Sequence, residues 1–111
     1  VILLPILYVS DMDAAIAAFA TLGFQIDVQS RSHGWTEMRD ERGGTLALHA
    51  ADAPRAGTLE LSMVSEHPLE QIMGVEVARG ISDEAFGRSI VLQGPDGCEI
   101  QVNEHDRELF A

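Results

Sequence analysis

The chain has 111 residues and a mass of 12.0 kDa, 46% hydrophobic and 23% charged, which leaves room for one compact domain or two small similar modules and excludes a separate catalytic domain within it. Eighteen acidic residues stand against seven Lys and Arg, a formal charge of −11, which repels a phosphate backbone, excludes nucleic acid as a partner class and favours a cationic small molecule. No apolar run approaches the roughly 20 residues that cross a bilayer, so no membrane partner is expected, and a lone cysteine, Cys98, cannot form an internal disulfide and fits a reducing cytoplasm.

The opening "VILLPILYV" is apolar but short, contains Pro5, and lacks the basic flank and cleavage pattern of a signal peptide; it reads as a buried first strand. "SDMDAAIAAFATLGF" follows as a helix, with Ser10 as the expected N-cap, Asp13 three residues on, an apolar stripe of Met12, Ala15, Ile16, Phe19 and Leu22, and Gly23 as the stop. Phe24, Ile26 and Val28 alternate with Gln25, Asp27 and Gln29 as a half-buried strand. "WTEMR" and "TLALHA" are two further strands, separated by the turn "DERGG", with Leu46 and Leu48 on one face and Thr45, Ala47 and His49 on the other.

"ADAPRAG" has linker character. Beyond it the order repeats: a strand in "TLELSMV", a short helical turn in "EHPLEQIMG", a strand in "VEVAR", a loop in "GISDEAFG", then the hairpin "RSIVLQ", "GPDG", "CEIQV". The same order twice predicts an α+β fold of two β-α-β-β-β modules, one over about 1–50 and one over about 58–105, joined by a linker over about 51–57. Two such units cover their bare faces by curling mixed sheets around a shared cleft lined by alternate strand residues. On the last strand Ile100 and Val102 are then core, while Glu99, Gln101 and Asn103 face the cleft.

The stretches "PILYVSDMDAAIAAFATLGFQI", "GWTEMRDERGGTLALHAADAP" and "FGRSIVLQGPDGCEIQVNE" resemble the vicinal oxygen chelate superfamily, which holds glyoxalase lyases, extradiol dioxygenases and bleomycin-resistance binding proteins. The resemblance covers nearly the whole chain. It departs at Gly94, where the family more often has Asp, and at the shortened second helix. It implies four inward positions that in the metal enzymes hold His or Glu around a divalent ion. Here they fall on Leu4, Ala47, Thr58 and Gln101. Leu and Ala offer no donor atom, and Thr and Gln are weak neutral ones, so neither metal nor other cofactor is expected.

The resemblance then implies a metal-independent small-molecule binding protein of the bleomycin-resistance type, and a homodimer. The cleft would have a floor of Leu4, Ile6 and Ala47 and polar walls from Tyr8, His49, Glu60, Gln101 and Asn103, for a cationic or aromatic guest. Tyr8, Trp35 and Phe86 each read either as ligand contacts or as packing. Glu60 and Glu99 should lie near water or meet a cation. The alternative is a lyase, isomerase or dioxygenase with a displaced metal site around His49, Glu60 and Glu99. Arg88 reads as a surface partner of Asp83 or Glu84, and His33, His67 and His105 as turn and tail residues without a role.

Overall fold

Proline has no amide hydrogen to give a strand ladder, and Pro5 divides the opening apolar run. The computed structural model describes residues 1–111 and splits this run into β1, Ile2–Leu3, and β2, Ile6–Val9, in different sheets. Then come the helix α1, Met12–Thr21, and the strands β3, Gln25–Gln29, β4, Trp35–Arg39, and β5, Thr45–Ala50. The second half supplies β6, Leu59–Glu60, β7, Ser62–Val64, β8, Val77–Glu84, β9, Gly87–Gln93, and β10, Glu99–His105. One five-stranded sheet runs β3-β4-β5-β2-β6 and the other β1-β7-β10-β9-β8. Both are mixed, as the α+β repeat predicts, with β2 parallel to β5 and β10 parallel to β7. Neither is strongly curled.

The two halves trade edge strands. β1 pairs with β7 in the second sheet, and β6 pairs with β2 in the first. The crossing is pinned where the Leu4 amide donates to the Ser62 carbonyl at 2.9 Å and the Ser62 hydroxyl donates to the Leu4 carbonyl at 2.7 Å. "TLELSMV" is therefore two strands in two sheets, not one.

Strand parity follows the alternation. Leu46 and Leu48 join Met38 beneath α1, where Met12, Ala15, Ile16 and Phe19 pack partly buried. Leu22, expected on that stripe, is exposed. The helix cap is Asp11, whose Oδ1 accepts from the Ala14 amide at 3.0 Å, rather than Ser10; a carboxylate there also meets the positive end of the helix dipole. In β3 the register slips between Ile26 and Val28, so that Val28 pairs with Glu37. Such a bulge moves the residues beyond it to the other face, and Val28 leaves the helix side for the interior of the fold.

In the second half, Leu69, Ile90, Leu92 and Val102 form a second core, with Ile100 half-buried against it. The second helix is a single turn, Leu69–Gln71. The segment read as a loop before the last hairpin is instead most of β8, whose eight residues are all exposed. A free edge strand with nothing over either face lacks burial as a sequence signal, so its alternation is not apolar against polar.

Arg88 faces Asp83 across the β8–β9 ladder, but its side chain turns away from Asp83 and Glu84 and clamps Glu70 and Glu104, with two edges of the guanidinium engaged at 2.8–2.9 Å. It ties the Leu69–Gln71 turn to the β9–β10 hairpin. Hydrogen bonds from Arg88 hold the Glu70 carboxyl down at about 2 and shift that of Glu104 in the same direction. Carboxyls depressed in the folded state stabilise it above their unfolded value of 4.5 and lose that effect as pH falls toward about 2. The expected result is that Arg88→Met lowers the melting temperature at neutral pH and that the gap from wild type narrows on acidification across that window. A gap independent of pH in circular-dichroism melts contradicts the clamp.

Candidate functional site

The faces of the two sheets turned away from α1 carry Ile2, Leu4, Ile6 and Tyr8 from the first run, Thr45, Ala47 and His49 from β5, and Trp35, Glu37 and Arg39 from β4. The register fixes this, because Ile6 and Glu37 both pair with Ala47, and Tyr8 and Trp35 both pair with His49. From the other sheet come Ser62, Val64, Gln101, Asn103 and His105. The shared interior therefore has two ends, one at Tyr8 and one at Leu4.

The Tyr8 end is closed by its own side chains. The Tyr8 hydroxyl donates to Glu60 Oε2 at 2.8 Å and accepts from Arg55 Nη2 at 2.7 Å, while the Gln101 amide donates to Glu60 Oε1 at 2.6 Å. The Arg55 guanidinium also lies 3.9 Å above the Tyr8 ring. Burial, with Glu60 as acceptor and negative neighbour, holds the Tyr8 phenol well above its ordinary range. His49 stands 5.1 Å from the Tyr8 ring and 6.0 Å from Trp35, and Trp35 lies 4.3 Å from Phe86. The space left among Tyr8, His49, Arg55, Phe86 and Gln101 is about 50 Å³, the scale of a few waters rather than of an organic guest.

The structure thus brings together Tyr8, His49, Glu60, Phe86 and Gln101, with Trp35 packed behind them. Asn103 is fully buried on Ser62, with its Oδ1 unpartnered. Glu99 lies elsewhere, in a surface pair with Arg79 at 2.6 Å. The displaced metal site has no assembled ligands: Glu60 is held by Tyr8, Arg55 and Gln101, the His49 Nδ1 faces the Ala50 carbonyl at 2.7 Å, and no three His, Cys, Asp or Glu side chains gather as a cation would require. The residues at the four positions that the resemblance implies do not fit a divalent ion either: the Thr58 hydroxyl donates to the Arg55 carbonyl at 2.6 Å. Leu4 and Ala47 are buried hydrocarbon, and the Gln101 amide has turned its N–H toward a carboxylate.

The Leu4 end is open. A cavity of about 530 Å³ is bounded by Ile2, Leu4, Val28, Met38, Val64 and Phe110, with the buried Glu37 and the half-buried His105 among its polar groups and Asp27, Arg39, Thr45 and Arg107 also on its wall. Glu37 is 8% exposed and accepts the Trp35 indole N–H at 2.8 Å. His105 Nε2 lies 2.9 Å from the same carboxylate oxygen, out of line for a hydrogen bond. Arg39 is engaged with Asp27 at 3.3 Å. His105, read above as a tail residue, is the last residue of β10 and belongs to the cavity. Parity could have found Glu37 and His105, which stand two residues from Trp35 and Asn103. No local signal could have found Phe110, which arrives through a bridge between its own backbone and Ser30, or Arg55, which comes from the linker.

No protein-family model matches the sequence, and no curated protein matches it either. Solved structures do match. One, of an NAD-dependent benzaldehyde dehydrogenase from Legionella pneumophila, has a TM-score of 0.66 at 19% identity over 94% of this chain and 99% of that one. A glyoxalase/bleomycin resistance protein/dioxygenase superfamily member from Vibrio splendidus follows at 0.59 and 14%, over 92% and 97%. An uncharacterised protein from Methanosarcina mazei stands at 0.58 and 21%, over 96% and 94%. At these identities the likeness concerns the fold, and together with the strand order it shows that this chain has the vicinal oxygen chelate fold, the architecture of the glyoxalase, bleomycin-resistance and dioxygenase superfamily.

Proposed function

We propose that the protein binds a small molecule, without a metal, in the cavity at the Leu4 end of the interior. The observation that carries this reading is the cavity itself: about 530 Å³, lined about half by hydrocarbon and offering a buried carboxylate and an imidazole, with Asp27, Arg39, Thr45 and Arg107 also on its wall, the size and mixed chemistry of a small-molecule site. The ligand positions of the superfamily's metal enzymes supply hydrocarbon and a neutral amide instead of anionic or imidazole donors. Sequestration needs affinity and no reaction step. The site is displaced from the cleft expected from sequence, because Tyr8, Arg55, Glu60 and Gln101 occupy that cleft themselves.

A homodimer is proposed with it, on the superfamily resemblance; sedimentation of the purified protein at twice the 12.0 kDa chain mass supports it, and a monomer refutes it.

The test of binding is a thermal-shift screen of apolar small molecules, each with and without a chelator. A guest at a hundred times its Kd adds about 2.7 kcal/mol, which for a domain of this size is a rise of roughly 10 °C or more. The shift should survive the chelator and vanish in Val64→Trp, whose indole fills the cavity. Stoichiometric metal in the purified protein, or a shift that Val64→Trp leaves intact, overturns the reading.

A further inference from the structure

A carboxylate can accept about four hydrogen bonds, and one withdrawn from water without them is costly. Glu37 receives one, from the Trp35 indole at Oε2; its Oε1 has no protein donor and keeps some contact with solvent. His105 Nε2, 2.9 Å from Oε2, is buried without a hydrogen-bond partner. The cation nearest along β4, Arg39, turns to Asp27, and no Lys or Arg pairs with Glu37. At the cavity wall there is thus a negative charge and an imidazole nitrogen, side by side, short of donors. One carboxylate and one imidazole are too few to hold a transition-metal ion, and no third ligand stands with them. The rest of the lining is hydrocarbon on one side, Leu4, Val28, Val64 and Phe110 among it, with Asp27, Arg39, Thr45 and the exposed Arg107 also on the wall.

We propose that the guest is an apolar amine, its ammonium group donating to both oxygens of Glu37 and to the imidazole of His105, its hydrocarbon body lying against Leu4, Val64 and Phe110. This rests on the cavity being the binding site and specifies what it takes. An ammonium brings three N–H donors and the charge that the carboxylate lacks. The overall charge of −11 raises the local concentration of such cations. A carboxylate-bearing guest would place a like charge beside Glu37, since Arg39 is taken by Asp27 and Arg107 is at the exposed rim, and an alcohol brings one donor and no charge.

Isothermal titration calorimetry with 2-phenylethylamine, 2-phenylethanol and 3-phenylpropanoate, at one pH and ionic strength, tests this. The amine should bind about tenfold or more tightly than the alcohol, and the acid most weakly. Glu37→Gln keeps an acceptor for Trp35 and should remove the amine's advantage while leaving the alcohol within about threefold. The wild-type protein gives a second readout that needs no variant: Trp35 is the sole tryptophan, and its indole N–H resonance should shift saturably with amine and with the same Kd. Alcohol or acid binding as tightly as the amine, or amine binding that leaves the indole resonance unmoved, overturns the amine assignment while leaving the cavity a binding site. Failure of all three compounds to bind overturns both.

Discussion

Gly87→Ala should prevent folding or leave a chain that melts far below the wild type. Gly87 opens β9 at φ +145°, a conformation that side-chain-bearing residues rarely adopt, and a Cβ there would overlap the Glu104 carbonyl oxygen and stand 2.8 Å from the Asp106 amide nitrogen. Both obstacles are backbone, in the strand to which β9 is paired and just beyond it, so neither can rotate aside. Strain of this kind costs of order 1–3 kcal/mol, and overpacking about as much again, against a total stability of about 5–15 kcal/mol for a domain. Gly43→Ala, where a Cβ meets nothing within 4 Å at φ +100°, isolates the backbone term alone and should cost about 1 kcal/mol. Urea denaturation of the pair measures the difference. A Gly87→Ala protein as stable as Gly43→Ala would mean that β9 and β10 do not approach as described.

Trp35→Ala should be nearly as damaging, for two separable reasons. The indole is fully buried and lies 4.3 Å from Phe86, and truncating a buried aromatic costs about 3–5 kcal/mol. It also removes the one hydrogen bond given to Glu37. Trp35→Phe keeps a ring at the contact and deletes the donor, so that its cost, about 1–3 kcal/mol, reports the stranded carboxylate. Combining Trp35→Phe with Glu37→Leu should then recover stability, since no charge is left to desolvate. A double variant no better than Trp35→Phe would show that Glu37 does not depend on the indole.

How far the sequence discloses this molecule depends on how local each cause is. Period-two alternation in "TLALHA" and "CEIQV" assigns faces correctly, because each strand is paired on both sides and buried on at least one face, and the same parity puts Tyr8, His49, Glu60 and Gln101 inward. It fails where register is set by a partner. The slip beside Asp27 turns Val28 into the cavity, and Leu61 stands alone between two strands that lie in different sheets. The expected cleft and the open one differ because the linker carries Arg55, whose guanidinium completes the Tyr8–Glu60–Gln101 cluster and fills the space that alternation alone leaves empty. Spacing cannot show a long side chain folding back over a strand five residues away. Glu37 and His105, by contrast, lie on the correct parity, but a charged residue in a strand and a histidine close to a strand end carry the ordinary signature of solvated groups, and only the packing of Trp35 and Phe110 around them encloses them.

The exchange of short strands at Leu4 and Leu61 makes each half the custodian of the other's border. With β1 withdrawn, β7 presents a bare row of amides and carbonyls; with β6 withdrawn, β2 does the same, and unpaired rows of this kind invite association with other chains. Opening either half thus exposes an adhesive margin on its neighbour, so resistance to aggregation and all-or-none melting rest on the same four residues, Ile2, Leu3, Leu59 and Glu60.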